Sequence, residues 1–253
     1  MKAQRYLILD GIRGFAILNM ILYHAIWDLV YLFEFKWDWY HSYGSFLWQQ
    51  GICWTFIFLS GFCQPFGHKK LQRAIYVLGA GFFISIVTWI FMPESRVQFG
   101  ILTLLGSCML LMYFFDKPLK AWNSKIGLLL SLFLFVMTRN VNHGFLGFGR
   151  WNVFPLPDSW YHNLITTYFG FPMIGFSSTD YFSFIPWCFL FLSGYFTQHI
   201  FVERNWLQYL KPQKVKPLEW IGQHSLLIYL LHQPIIYCVL NMIVYGFRIH
   251  KVI

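Results

Sequence analysis

Apolar residues occupy most of the chain in long runs, and polar residues collect in the short segments between them. A helix needs about 20 predominantly apolar residues to cross the hydrocarbon core of a bilayer. Runs of that kind predict six spans, at residues 11–33, 46–66, 74–92, 98–115, 181–201 and 220–247. A seventh run, 126–137, is short and is expected to span by including flanking residues. The pattern predicts an all-α polytopic membrane helix bundle of about seven transmembrane helices, forming one domain over residues 1–253.

Residues 164–178 are apolar but contain Gly170, Pro172 and Gly175, which interrupt a helical pattern. A full crossing here would move the basic segment 204–216 to the opposite side of the membrane. We therefore expect a re-entrant or interfacial segment, which with residues 140–163 forms a long outer region. Non-helical backbone at membrane depth is tolerated only against protein or a watery cavity.

Composition agrees with this architecture. Apolar residues make up 57% of the chain, aromatic residues 22% and charged residues 11%, whereas soluble domains carry about 25% charged residues. A soluble globular protein and a disordered chain are both excluded. The five cysteines are odd in number and lack metal-site spacing, so neither a disulfide framework nor a metal site is predicted.

The distribution of basic residues predicts the orientation. The net charge is +9, and with the N-terminus in the cytoplasm thirteen Lys and Arg residues fall inside and six outside, as the positive-inside rule requires. The inner residues are Lys2, Arg5, Arg13, Lys69, Lys70, Arg73, Lys117, Lys120, Lys125, Arg204, Lys211, Lys214 and Lys216. The chain is thus expected to be a multi-pass cell-membrane protein, embedded in the lipid bilayer, without a nucleic-acid partner.

The first span carries four ionisable residues, Asp10, Arg13, His24 and Asp28. Arg13 and His24 are eleven positions apart and so lie within about 20° on one helical face. A charge at the bilayer centre costs at least about 2.5–3.5 kcal/mol, so this stripe is expected to face the bundle interior. His24 is a candidate general base, which Asp28, one turn away, is expected to orient. For Asp10 and Arg13 an anchoring ion pair is the alternative, and for His24 the alternative is a core histidine whose role is structural.

Two further regions offer polar candidates. In the last span Ser225, Tyr229 and His232 share one stripe, and Pro234 is expected to kink the helix; a packing role is the alternative. His41 lies in the aromatic outer segment 34–44 and is either functional or simply solvated. The sequence contains no HExxH, GxSxG or phosphate-binding glycine loop, which leaves acid–base chemistry by histidine.

Several motifs together resemble a known family. They are LDGIRGFAI at positions 9–17 followed by His24 and Asp28, PES (93–95) before FGIL (99–102), DYF (180–182) with Pro186 and Trp187, and HSLLIYLLHQP at 224–234. The chain is similar, from about residue 5 to 240, to the bacterial branch of the heparan-alpha-glucosaminide N-acetyltransferase catalytic-domain family, one of the transmembrane acyltransferases.

The resemblance implies an enzyme that moves an acetyl or other acyl group from cytosolic acyl-CoA, usually acetyl-CoA, to a hydroxyl or amine of an extracytoplasmic carbohydrate or glycolipid. In the wider superfamily an Arg is followed eleven residues later by an active-site His, which matches Arg13 and His24. Eukaryotic members use a His in the first outer loop, which His41 matches by position, and we rank His24 ahead of it. Where many relatives have a His after the Gly-Ile-Leu, this chain has Thr103.

These considerations assign His24, Asp28 and His41 to catalysis. Arg13, with its neighbour Asp10, is expected to meet the phosphates of coenzyme A, and Ser225, Tyr229 and His232 are expected to line the donor pocket. The alternatives are a small transporter or channel that uses the polar stripe of the first span, and an inactive relative that serves as a membrane partner subunit. A homodimer is an open alternative for the oligomeric state.

Overall fold

The computed structural model describes residues 6–210 and 215–250, without the side chains at 245 and 247–250. Nine α-helices form this described part: α1 Leu7–Tyr31, α2 Tyr43–Cys63, α3 Lys70–Phe91, α4 Ile101–Lys120, α5 Ser124–Met137, α6 Leu164–Phe169, α7 Phe184–Glu203, α8 Lys216–Gln223 and α9 Ser225–His250. Lys2, Arg5, Lys211, Lys214 and Lys251, which contribute to the predicted orientation, lie outside the described residues, as does the side chain of Arg248.

Seven helices of the described chain are long and apolar enough to cross a membrane. They confirm the predicted all-α polytopic bundle, including the short seventh span, which extends from Ser124 to His143 by adding flanking residues. The Asn123 side chain begins this helix by accepting hydrogen bonds from the backbone of Lys125 and Ile126, the usual role of Asn before the first turn.

Residues 164–178 do not form a spanning helix. Only Leu164–Phe169 is helical, and six residues reach about 9 Å, which is far too short to cross a bilayer. Asn163 starts this helix in a capping box with Thr166. Gly170, at φ 127°, ends it in a conformation that favours glycine.

Residues 140–163, predicted to lie on the outer side, also contain regular structure that the sequence did not predict. Strands β1 (Phe145–Phe148) and β2 (Trp151–Pro155) pair antiparallel as a hairpin, with a register irregularity between Leu146 and Gly147. Gly147, at φ 142°, sits so close to the carbonyl of Trp151 that a side chain has no room there.

The prediction of one helix over residues 220–247 is wrong. The chain leaves helical geometry at His224 (φ −100°, ψ 21°), which separates the amphipathic α8 from the apolar α9. The helix then continues through Pro234, the position where the sequence predicted a kink. α8 is a separate helix because it packs along α1: Gly14 faces the Leu218 carbonyl, and Gly222 faces the Asp10 carbonyl.

The chain divides into two compact units. One comprises residues 1–56 and 207–253, so it contains α1, the first part of α2, α8 and α9. The other comprises residues 57–206. In the first unit Ile17, Met20 and Ile52 form a buried apolar core, and Trp48 joins α2 to α1 through a hydrogen bond of 3.0 Å from its indole N–H to Asn19 Oδ1.

Candidate active site

Two histidines meet where α1 and α9 pack together. The ring centroids of His24 and His232 are 4.9 Å apart, and the ring planes cross at 64°. His232 is buried and His24 is half-buried. The sequence placed His24 at the centre of catalysis and His232 in the lining of a donor pocket, and the structure brings the two rings into contact.

The hydrogen bond of His232 determines which of its nitrogens holds a proton. Nδ1 lies 2.6 Å from the backbone carbonyl of Tyr229. Because a carbonyl only accepts, Nδ1 must donate, and in the neutral ring the lone pair is then on Nε2. Nε2 is buried and accepts no hydrogen bond from the residues that the structure describes. In the neutral ring His232 therefore keeps, among the described residues, an unpaired lone pair on its buried Nε2.

Asp28 is fully buried and bonds to α9 rather than to His24. Its Oδ1 accepts a hydrogen bond of 2.5 Å from Nε2 of Gln233. Oδ2 has no hydrogen-bonding partner among the described residues, and no hydrogen bond joins Asp28 to His24 within that part of the chain. The expectation that Asp28 orients the His24 ring is thus wrong: both side chains share a face of α1, but the carboxylate turns to the amide donor on α9.

Sequence reasoning did not assign Gln233 to the site. It is the residue after His232, and it pairs with the buried carboxylate of α1. The available signal was a polar amide inside an apolar span, since such residues usually face the bundle interior and mark functional sites. Its partner was not predictable, because that depends on how α9 is rotated against α1.

Asp10 and Arg13 form the ion pair considered from the sequence, with 3.2 Å between Arg13 Nη1 and Asp10 Oδ1. The pair lies in the first two turns of α1, beside α8. Arg13 and His24 are separated by about 16 Å along the helix, at 1.5 Å per residue. Arg13 is therefore at the other end of the stripe from the histidine pair.

His41 is exposed in the short helical turn Asp38–His41 and contacts neither His24 nor His232 within the described chain. Its ring lies 6.1 Å from that of Tyr31 and 5.9 Å from that of Tyr40. Burial raises the pKa of Tyr40 well above its usual value, and the hydrogen bond with Tyr23 raises it further. Aromatic rings thus separate the predicted outer histidine from the histidine pair.

The remaining candidates lie on α9. The Tyr229 ring packs 5.3 Å from that of His232 and also contacts the apolar core of Ile17, Met20 and Ile52. Ser225 is half-buried at the first residue of α9, two turns before His232. Of these two residues, Tyr229 contacts the histidine pair. No group of three or more metal-ligating side chains occurs in the part of the chain that the structure describes.

A protein-family model described as heparan-alpha-glucosaminide N-acetyltransferase, catalytic, matches residues 5–234. The chain belongs to this family. The matched segment contains both halves of the site, from Asp10 on α1 to Gln233 on α9. Membership in the N-acetyltransferase family implies a membrane-bound transferase of the acetyltransferase type. The chain has no significant match among curated proteins or among solved structures.

Proposed function

We propose that this family member transfers an acetyl group from cytosolic acetyl-CoA to a hydroxyl or amine of an extracytoplasmic sugar, on a carbohydrate or a glycolipid. The observation that carries the proposal is the free lone pair on His232 Nε2, fixed by the hydrogen bond from Nδ1 to Tyr229. A buried imidazole in this tautomer is arranged to deprotonate a nucleophile. Family membership also favours acyl transfer over the transporter alternative.

The reaction needs one proton transfer and one acyl transfer. His232 Nε2 takes the proton from the hydroxyl or amine, whose oxygen or nitrogen forms a bond to the thioester carbonyl carbon. The carbon–sulfur bond then breaks, and the coenzyme thiolate leaves and takes the proton from the imidazolium. General acid–base catalysis of this type contributes about 10²–10⁴-fold.

His24 contributes from the opposite helix. With the ring centroids 4.9 Å apart, a group that reacts at His232 Nε2 is also beside the His24 ring. An imidazole N–H there can stabilise the negative charge that develops on the thioester oxygen, an interaction of a kind that often gives the largest part of the rate. We therefore assign the general base to His232 and oxyanion stabilisation to His24. Asp28 supports the site through its hydrogen bond with Gln233 on α9. We assign His41 to the side of the membrane from which the sugar acceptor enters.

We assign the binding of the acetyl donor, acetyl-CoA, to the end of the polar stripe of α1 that carries Arg13. Guanidinium groups bind phosphates well, and Arg13 has a single hydrogen bond to Asp10 within the described residues. The nucleotide part of coenzyme A at Arg13 and the thioester at the histidine pair would be joined by the long arm of the coenzyme, running parallel to the roughly 16 Å of helix between them.

The test is acetyl transfer by the purified chain in proteoliposomes. Radiolabelled acetyl-CoA is supplied on one side, glucosamine and glucose on the other, and labelled sugar is measured. We expect acetyl transfer that depends on both His24 and His232. Passage of an intact sugar without acetylation would favour the transporter. An inactive partner subunit predicts no acetyl transfer in this assay and a role in cells that persists after His24 and His41 are both replaced.

A further inference from the structure

The hydrogen bond between Asp28 and Gln233 fixes which atom of the amide faces which way. An ionised carboxylate only accepts hydrogen bonds, so Gln233 must turn its Nε2 towards Asp28 Oδ1. Its Oε1 is then an acceptor that points elsewhere. Gln233 Oε1 and Asp28 Oδ2 are both buried, and neither receives a hydrogen bond from any residue in the described ranges.

Two buried acceptors without donors are costly, because each has lost its hydrogen bonds to water. Most buried polar atoms in native proteins have a hydrogen-bonding partner, so each atom without one calls for an explanation such as a bound molecule or a catalytic role. The fully buried carboxylate on α1 makes the case stronger, since within the described chain its only hydrogen-bond donor is a neutral amide.

We propose that Asp28 Oδ2 and Gln233 Oε1 form a two-acceptor subsite, which binds two N–H or O–H donors of the sugar that receives the acetyl group. This inference rests on the proposed function. His232 contacts His24 and Gln233 bonds to Asp28, and His24 and Asp28 lie one turn apart on the same face of α1. Donors held by the subsite would therefore place the adjacent reacting group near the base at Nε2. Gln233 is the positioning residue, because it holds the carboxylate through one end of its amide and contacts the sugar through the other.

The chemistry of the pair requires glutamine in particular. Glutamate at position 233 would place a second carboxylate against Asp28, and two like charges at that distance repel. Leucine has a similar volume but neither donates nor accepts a hydrogen bond. These two substitutions therefore separate loss of the hydrogen bonds from loss of the packing.

The test is steady-state kinetics of the purified full chain with glucosamine and glucose as acceptors. For Gln233→Leu we expect the KM for the better acceptor to rise about tenfold, the effect of losing one good hydrogen bond. The KM for acetyl-CoA should stay within about twofold. Gln233→Glu should be at least as impaired. The control is Gln72→Leu, which should match wild type. Gln72 is an exposed glutamine on α3 whose amide donates a hydrogen bond to Tyr76.

A double-mutant cycle with Asp28→Asn then tests the coupling. If the two residues act as one subsite, Gln233→Leu should raise the acceptor KM far less in the Asp28→Asn background than in wild type. Active Gln233→Leu enzyme with an unchanged acceptor KM, or strictly additive effects, would overturn the inference. Absence of acetyl transfer in wild type would instead contradict the proposed function, and the two failures are distinguishable in one experiment.

Discussion

His24 on α1 and His232 on α9 place their rings 4.9 Å apart, with an angle of 64° between the ring planes. The two residues come from near opposite ends of the chain, and only the packing of α1 against α9 brings them together. One ring has its tautomer set by a backbone carbonyl, and the other has no such constraint within the described residues. The two histidines therefore differ in the chemistry available to them.

Replacing His232 with Gln should abolish most of the catalytic rate. We expect kcat to fall about 10²–10⁴-fold because the base is removed, with little change in the KM for either substrate. The measurement is acetyl transfer in proteoliposomes at matched protein content. His24→Gln should also reduce kcat, by about 10²-fold if it supports the oxyanion. His41→Gln is the comparison, and a larger effect there than at His232 would move the base to the outer loop.

Replacing Arg13 with Ala should weaken binding of the donor. Loss of a guanidinium–phosphate interaction is expected to raise the KM for acetyl-CoA about tenfold or more, while the KM for the sugar is unchanged. Arg13→Lys should recover part of the loss, because it keeps the charge but not the paired geometry. Equal changes in both KM values would contradict the assignment and indicate that the Asp10–Arg13 ion pair only holds α1 in place.

Two glycines in the second unit permit the close contact of α2 with α7. A side chain at Gly61 would collide with the Phe191 carbonyl, and one at Gly194 would collide with the Phe58 carbonyl. Gly61→Ala and Gly194→Ala should each destabilise the protein by about 1–3 kcal/mol or more, because packed helices would have to separate. Thermal unfolding in detergent measures this. Gly79→Ala, on α3 with open space around the glycine, is the control. It should unfold at or slightly above the wild-type temperature, because alanine favours a helix by up to about 1 kcal/mol over glycine.

Burial of Tyr40 should make the protein sensitive to alkaline pH. Its pKa is raised, so the stability that it contributes is fully present below the ordinary tyrosine pKa of about 10 and is lost as the pH rises above that value. Tyr40→Phe should lose less stability between about pH 9 and 11 than wild type. The melting temperature across that range is the measurement, and the exposed Tyr43→Phe should behave as wild type. Identical alkaline profiles for all three proteins would rule out this role of Tyr40.

The orientation is testable by labelling single cysteines. With the five native cysteines replaced, Asp38→Cys should react with a membrane-impermeant maleimide added outside cells, and His68→Cys should react only after the membrane is opened. Both positions are exposed, so a failure to react reports sidedness rather than burial. The reverse pattern would place the N-terminus outside and contradict the charge distribution.

The spans were predictable because hydropathy is a property of the local sequence. Runs of apolar residues located all seven spanning helices, and the i,i+3 spacing of Asp10 and Arg13 on α1 was enough to anticipate their ion pair. The break at His224 was not predictable in this way. It depends on α8 packing against α1 through Gly14 and Gly222, and no local signal marks it.

The sequence by itself determined a polytopic helix bundle, the family and a polar stripe on the first span, since these depend on composition, local periodicity and short motifs. Only the tertiary structure decided that His24 meets His232, and that Asp28 bonds to Gln233 instead of orienting His24. The physical reason is that such contacts depend on the rotation of one helix against another. Interhelical packing sets that rotation, and it cannot be predicted from the local sequences of two helices at opposite ends of a chain.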